Sequence, residues 1–295
     1  MKTTTTLAAM LLTTILVAPL AKAETDVDVD PMASAGHWRG IDGQALPFAT
    51  HGQVLEFLRT AEVVDSVEIK GSLNRPLKLT LEKDGVRAHA IFRTVNVERD
   101  EMRHVREHAR GFRDSYVFEV AAYELSRLLD LDNVPPAVLR KIGREKGSVQ
   151  LWVEQAMGVQ ERMEQGIDPR HEKLWLFQKQ NMVVFDNLIY NFDRNPGNIL
   201  IDASGKVWFV DHTRSFKKLP VLSNRAQMKV LERRFWNRLC DLDAEAVREQ
   251  LDPYLDGRQI EALLARQRKI VKTIKRRIAE YGEQAILFEF VSTPA

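Results

Sequence analysis

The feature that most constrains this chain is Asp193-Arg194-Asn195-Pro196-Gly197-Asn198-Ile199-Leu200-Ile201-Asp202, followed after a short turn by Val207-Trp208-Phe209-Val210-Asp211. Two apolar runs, Ile199 to Ile201 and Val207 to Val210, flank Asp202-Ala203-Ser204-Gly205-Lys206. That pattern predicts a β-hairpin, with Gly205 free to take the positive φ such a loop needs. A hairpin brings its open ends together, so Asn198 and Asp211 should lie side by side, with Asp193 one turn upstream. An amide oxygen and a carboxylate converging there suit a hard cation such as magnesium, and a second carboxylate can serve as base. This is the pattern of a phosphate-transfer site.

The start of the chain predicts export. Lys2 and polar threonines precede an apolar run, Leu7 to Leu20, which ends in Ala21-Lys22-Ala23. A basic start, a short apolar core and an A-x-A end make a cleavable signal peptide over residues 1–23, implying a periplasmic or secreted protein. No later segment is long and apolar enough to span a membrane. Residues 1–23 hold two lysines and no acid, so the formal charge of +2 falls to zero, 41 basic against 41 acidic residues, once they are removed. A neutral mature chain gives no reason to expect nucleic acid as partner. Cys240 is the only cysteine and cannot form an internal disulfide, so the fold must rely on its core. Cys240 is read as packed rather than reactive.

Residues 24–50 are acidic, then Gly- and Pro-containing, without period, and are read as a mobile leader. A short helix follows, Gly52 to Glu62. Strands are predicted at Val64 to Lys70, Leu77 to Glu82 and Val86 to Val95, the last two joined by a tight Lys83-Asp84-Gly85 turn. A helix from Ser115 to Leu131 presents Phe118, Ala121, Ala122, Leu125 and Leu128 on one face. Pro135-Pro136 then breaks the chain before strands at Val138 to Ile142 and Val149 to Val153. A long helix, His171 to Asn191, precedes the hairpin, and further helices run from Arg225 to near Phe288. Strands gathered early and helices late imply an α+β fold of two lobes, residues 51–155 and 156–295.

In this order the chain resembles the protein-kinase superfamily in its atypical branch, near the phosphoinositide-kinase-like and secretory-pathway kinases. Four features over roughly residues 64 to 216 carry the likeness. Asp193 and Asn198 have the spacing of the kinase catalytic loop. Asp211 stands where the kinase metal motif opens, with His212-Thr213 in place of Phe-Gly. Ala90-Ile91-Phe92-Arg93 is similar to the strand motif V-A-I-K, and Glu119 lies in the helix that follows.

The resemblance implies a bilobal kinase-like fold and transfer of the γ-phosphoryl group of ATP to a hydroxyl acceptor. Asp193 would then orient or deprotonate the hydroxyl, and Asn198 and Asp211 would hold Mg2+ or Mn2+. Arg93, paired with Glu119, would neutralise the phosphates, with Lys78 as the alternative cation. Gly71-Ser72 would be the glycine loop, and backbone from Glu154 through Ala156 to Met157 the adenine connector. The implied partners are a nucleotide and a protein, glycan or lipid hydroxyl, with the protein a monomer. Arginine is no conservative replacement for lysine. A catalytically weak nucleotide-binding pseudokinase is therefore the alternative, and similar cores can also transfer the nucleotide moiety.

Two further strings resolve to simpler readings. His104-Val105-Arg106-Glu107-His108 matches a zinc-peptidase pattern, but the crowd of arginines around it marks a solvated charged helix. The basic run Arg266 to Arg277 keeps its apolar residues at helical spacing and is read as the solvated face of a packed helix.

Overall fold

A computed structural model describes residues 38–70, 74–99, 112–167 and 172–290. The upper lobe is built on a five-stranded antiparallel sheet in the order β1-β2-β3-β7-β6. Its strands are β1 (Glu62–Glu68), β2 (Leu77–Lys83), β3 (Val86–Arg93), β6 (Ala137–Ile142) and β7 (Glu145–Leu151). Between β3 and helix α2 (Val117–Leu128) the chain forms a further strand pair, β4 (Asn96–Arg99) with β5 (Phe112–Ser115), that periodicity did not reveal. The β2–β3 turn puts Asp84 at φ 52° and Gly85 at φ 76°. Two successive positive φ values give the hairpin turn whose twist matches its strands.

Period-two alternation sorts this sheet into two faces. Leu79, Leu81, Ala88, Ala90, Phe92, Val149 and Leu151 pack beneath helix α1 (His51–Thr60), which contributes Val54, Phe57 and Leu58. The opposite face carries Lys78, Ile91, Arg93, Ser148 and Gln150, aligned by the pairings Lys78↔Ile91, Ile91↔Gln150 and Arg93↔Ser148. Gly147 permits the close approach of β7 here, since a Cβ would collide with the Arg93 carbonyl and the Phe92 ring.

The lower lobe is mainly helical. After β8 (Met157–Gly158) and α3 (Val159–Glu164), the long helix α4 (Glu172–Ile189) leads to the hairpin β9 (Ile199–Ile201) and β10 (Val207–Phe209). Strand β8 adds to the hairpin through Met157↔Ile201 and Gly158↔Leu200, so the connector between the lobes lies beside it. The chain continues through β11 (Leu231–Glu232), α5 (Arg233–Cys240), α6 (Ala244–Leu251), α7 (Gly257–Tyr281), α8 (Glu283–Ile286) and β12 (Leu287–Phe288). A second apolar core joins α2, α4, the hairpin and α5 to α7, and Cys240 packs at its margin.

Two expectations are corrected. Residues 38–50 are not a mobile leader: Trp38 and Leu46 are buried in the upper core, and Arg39 bridges Ala45. Trp38 packs 5.3 Å from Trp208 of β10, so the hairpin shares a core with the upper lobe. Isolated apolar residues in a Gly-containing stretch carry no period to announce such anchoring. Arg266 is not on a solvated face either. It is fully buried, donating to the backbone carbonyls of Leu188, Lys217 and Leu219, and burial pulls its guanidinium down to about 10. The carbonyls left unpaired at the end of α4 and after Phe216 need donors, and helical spacing alone cannot announce that. The His104–His108 string lies outside the described residues.

Candidate active site

The hairpin register Ile199↔Phe209 places Asn198 beside Val210, whose N–H donates to the Asn198 carbonyl at 3.3 Å. A single helical turn, Pro196–Asn198, precedes it, capped by the Asn195 side chain accepting from Gly197 N–H at 2.9 Å. Arg194 binds the assembly together. Its guanidinium meets Asp186 of α4 through two bonds of 2.9 Å and donates to the carbonyls of Asn198 and Val210 at 2.6 Å. Arg194 thus orders the loop.

Asn198 Nδ2 donates to the Asp193 carbonyl at 3.0 Å, which commits the amide nitrogen and leaves the side-chain oxygen as ligand. Asp211 takes φ 60°, an unusual conformation for a non-glycine residue, and accepts from Thr213 Oγ1 at 3.1 Å. Backbone strain of this kind clusters at functional sites. Asp193 is held by Arg214, whose Nη1 lies 3.0 Å from Oδ2, and remains 36% exposed. Burial pushes the Asp193 carboxyl above its ordinary value; Arg214 opposes this, and the charges of Asp211 and Asp114 reinforce it.

Opposite this group, Arg93 Nε lies 3.6 Å from Glu119 Oε1 and its Nη2 lies 4.0 Å from Asp211 Oδ2. Arg93 thereby spans Glu119 of α2 and Asp211 instead of serving Glu119 alone. Its Nη1 is buried without a partner among the described residues. Glu119 is fully buried and accepts from the His212 backbone at 2.9 Å, with the His212 ring at 3.2 Å. Here lies the consequence of His212 in place of the usual phenylalanine: the histidine couples α2 directly to the Asp211 segment. Glu124, the other carboxylate of α2, turns away and bonds Gln250.

Lys78 shares the Arg93 face of the sheet, with its ammonium 4.5 Å from the Trp152 ring. Glu154 sits in the turn after β7, its carboxylate engaged with His89 Nδ1 at 2.5 Å, and Ala156 follows before β8. The Glu154 side chain is thus engaged by His89. Gly71 and Ser72 lie outside the described residues. Sequence reasoning missed Asp114 and Arg214. Arg214 lies only three residues beyond Asp211, which is the one signal that pointed to it.

Charge decides what this cleft can hold. Asp114, Glu119, Asp193 and Asp211 pair with Arg93 and Arg214, and Lys78 shares the Arg93 face of the sheet, which leaves a formal excess of one negative charge. Metal-free phosphate would meet net repulsion, whereas a divalent ion is attracted. Among the described residues, no three His, Cys, Asp or Glu side chains converge as a free-standing metal cage. Asn198 and Asp211 therefore fit a cation that keeps water and phosphate oxygens among its ligands, as magnesium does. The orphaned, buried Nη1 of Arg93 fits an anionic group in the same cleft.

Glu119 also predicts acid sensitivity. Burial opposes its ionisation, but Arg93 and the His212 ring and backbone outweigh burial and hold it down to about 2, against an ordinary 4.5. A depressed carboxylate contributes stability that is complete above the unfolded value and lost as pH falls through the folded one. The protein should therefore lose about 3 kcal/mol between about pH 4.5 and 2 from this group. Urea unfolding across that range checks it. Glu119→Gln should flatten the dependence, and an unchanged slope would refute the assignment.

The architecture is an atypical protein-kinase-like fold: a β-rich upper lobe over a helical lower lobe, with the β9–β10 hairpin at their junction. Among solved structures, that of hydra Fam20 with sugar is similar, with TM-score 0.63 and 16% identity, covering 81% of this chain and 92% of that one. The Golgi casein kinase with Mn/ADP bound is similar too, with TM-score 0.60 and 16% identity, covering 83% of this chain and 80% of that one. No protein-family model matches the chain, and no curated protein matches it by sequence.

Proposed function

We propose that the protein is a divalent-metal-dependent phosphotransferase that moves the γ-phosphoryl group of ATP to a hydroxyl acceptor. The observation that carries this is the meeting of Asp193, Asn198 and Asp211 at one end of the hairpin, facing Arg93 with its free buried donor. A structural neighbour with manganese and ADP bound supports the same ligands. When bound, ATP with its metal supplies the transferable phosphoryl group. Asn198 and Asp211 would hold the ion, and Arg93, steadied by Glu119, offsets phosphate charge. The connector backbone from Glu154 to Met157 receives the base. Asp193 holds the acceptor hydroxyl in line and takes its proton.

The acceptor is a protein, glycan or lipid hydroxyl, and labelled phosphate with purified residues 24–295 is the means to find it. The signal-peptide pattern of residues 1–23 supports work outside the cytoplasm. No helix among the described residues is long and apolar enough to cross a membrane.

Titration with ATP tests the reading. Binding should require Mg2+ or Mn2+, and Asp211→Asn should weaken it by roughly ten- to a hundred-fold, the loss of one charged metal ligand. Equal binding in a chelator would refute the metal role. Metal-dependent binding without any turnover would identify the nucleotide-binding module favoured by arginine at position 93.

A further inference from the structure

Arg214 touches both lobes, as Arg93 does through Asp211, but it does so through Asp193. Its Nη1 donates to Asp193 Oδ2 at 3.0 Å, and its Nε donates to Asp114 Oδ2 at 2.9 Å. Asp193 belongs to the loop of the lower lobe, whereas Asp114 lies on β5 of the upper lobe. The same Asp114 oxygen accepts from Asn74 Nδ2 at 3.1 Å, and Asn74 leads into β2. The backbone repeats the link: Ser115 N–H donates to the Thr213 carbonyl at 2.9 Å. A surface ion pair would contribute little, because two mobile side chains in water gain little by meeting. This one differs, because Asp114 is 3% exposed and its Oδ1 has no partner among the described residues. A buried carboxylate of that kind fixes its partner, and a planar fork fixed at one edge has a defined direction at the other.

We propose that Arg214 is a positioning residue: it aims the Asp193 carboxylate and, through Asp114 and Asn74, ties that aim to the upper lobe. One oxygen of Asp193 is held and the other is left for the acceptor hydroxyl. When β1 and β2 settle over a nucleotide, Asn74 moves with them, and the base is aligned by the same motion. Misplacing a catalytic group by an ångström is costly in rate while leaving ligand affinity alone. The inference rests on the phosphotransfer reading above.

The test compares Arg214→Gln and Arg214→Lys with the parent. For Arg214→Gln, kcat should fall about ten-fold or more with KM for ATP within about two-fold, the signature of lost alignment. Lysine keeps the charge but cannot bridge two carboxylates as a fork, so Arg214→Lys should remain at least about three-fold slow. Full rescue by lysine, or an unchanged kcat in Arg214→Gln, overturns the proposal. Hydrogen exchange gives a readout free of turnover: the Ser115 amide and those of residues 193–198 should exchange faster in Arg214→Gln. If the parent transfers no phosphate, the phosphotransfer reading fails, and unchanged exchange in the variant would then also overturn the bridge. Should Arg214→Gln not fold, Asp114→Asn, which keeps the shape and deletes one charge, must show the same faster exchange and lower kcat.

Discussion

Asp193→Asn will lower phosphate transfer by roughly 10²–10⁴-fold, the usual contribution of a positioned general base. Asparagine keeps the size of the side chain and can still accept from Arg214, so the loop keeps its shape. It cannot take a proton. Binding of ATP with its metal should stay within about three-fold of the parent, since Asn198 and Asp211 are untouched. Steady-state transfer beside equilibrium nucleotide titration separates the two quantities. A variant with unchanged transfer would remove Asp193 from the mechanism. One that loses nucleotide binding in step with transfer would make it a ligand instead.

The second large effect is on stability. Arg93→Met will cost up to about 3–5 kcal/mol, because it strips the arginine from a fully buried glutamate and leaves that charge to His212 alone. Against a typical total of about 5–15 kcal/mol that is a large share. Most of the loss should return in the double variant Arg93→Met/Glu119→Gln, since an amide in place of the glutamate carries no charge to compensate. Urea unfolding of the two single variants and the double variant reads the coupling directly. If the double variant is no more stable than Arg93→Met, the penalty comes from packing and not from the buried charge. Phosphate transfer should be lost in both, because neither retains the buried donor that Arg93 turns toward the cleft.

The outcome separates what local pattern encodes from what only the folded chain reveals. The hairpin was legible because two apolar runs around a turn fix their own register, and register alone brings Asn198 beside Val210. The meander and the long helices were legible from period, with ends displaced by a few residues. Residues 38–50 were not, because Trp38 and Leu46 are anchored by partners far along the chain. The Asp114–Arg214 bridge was hidden for a similar reason: an ion pair 100 residues apart in sequence leaves no spacing to read. Arg266 shows the limit of helical pattern, which separates apolar from polar positions but says nothing about backbone carbonyls waiting for a donor.

The shared burial of Trp208 and Trp38 bears on how the cleft opens. An indole of this size hides about 150–250 Å² of surface, so baring it would cost roughly 4–6 kcal/mol. Parting the halves at that point is therefore the costly way for the cleft to open. A roll about that point, as about a greased axle, would keep the tryptophan pair dry while the far rim lifts. In such a roll the side where Arg93 faces Asp211 would travel and the tryptophan side would stay put.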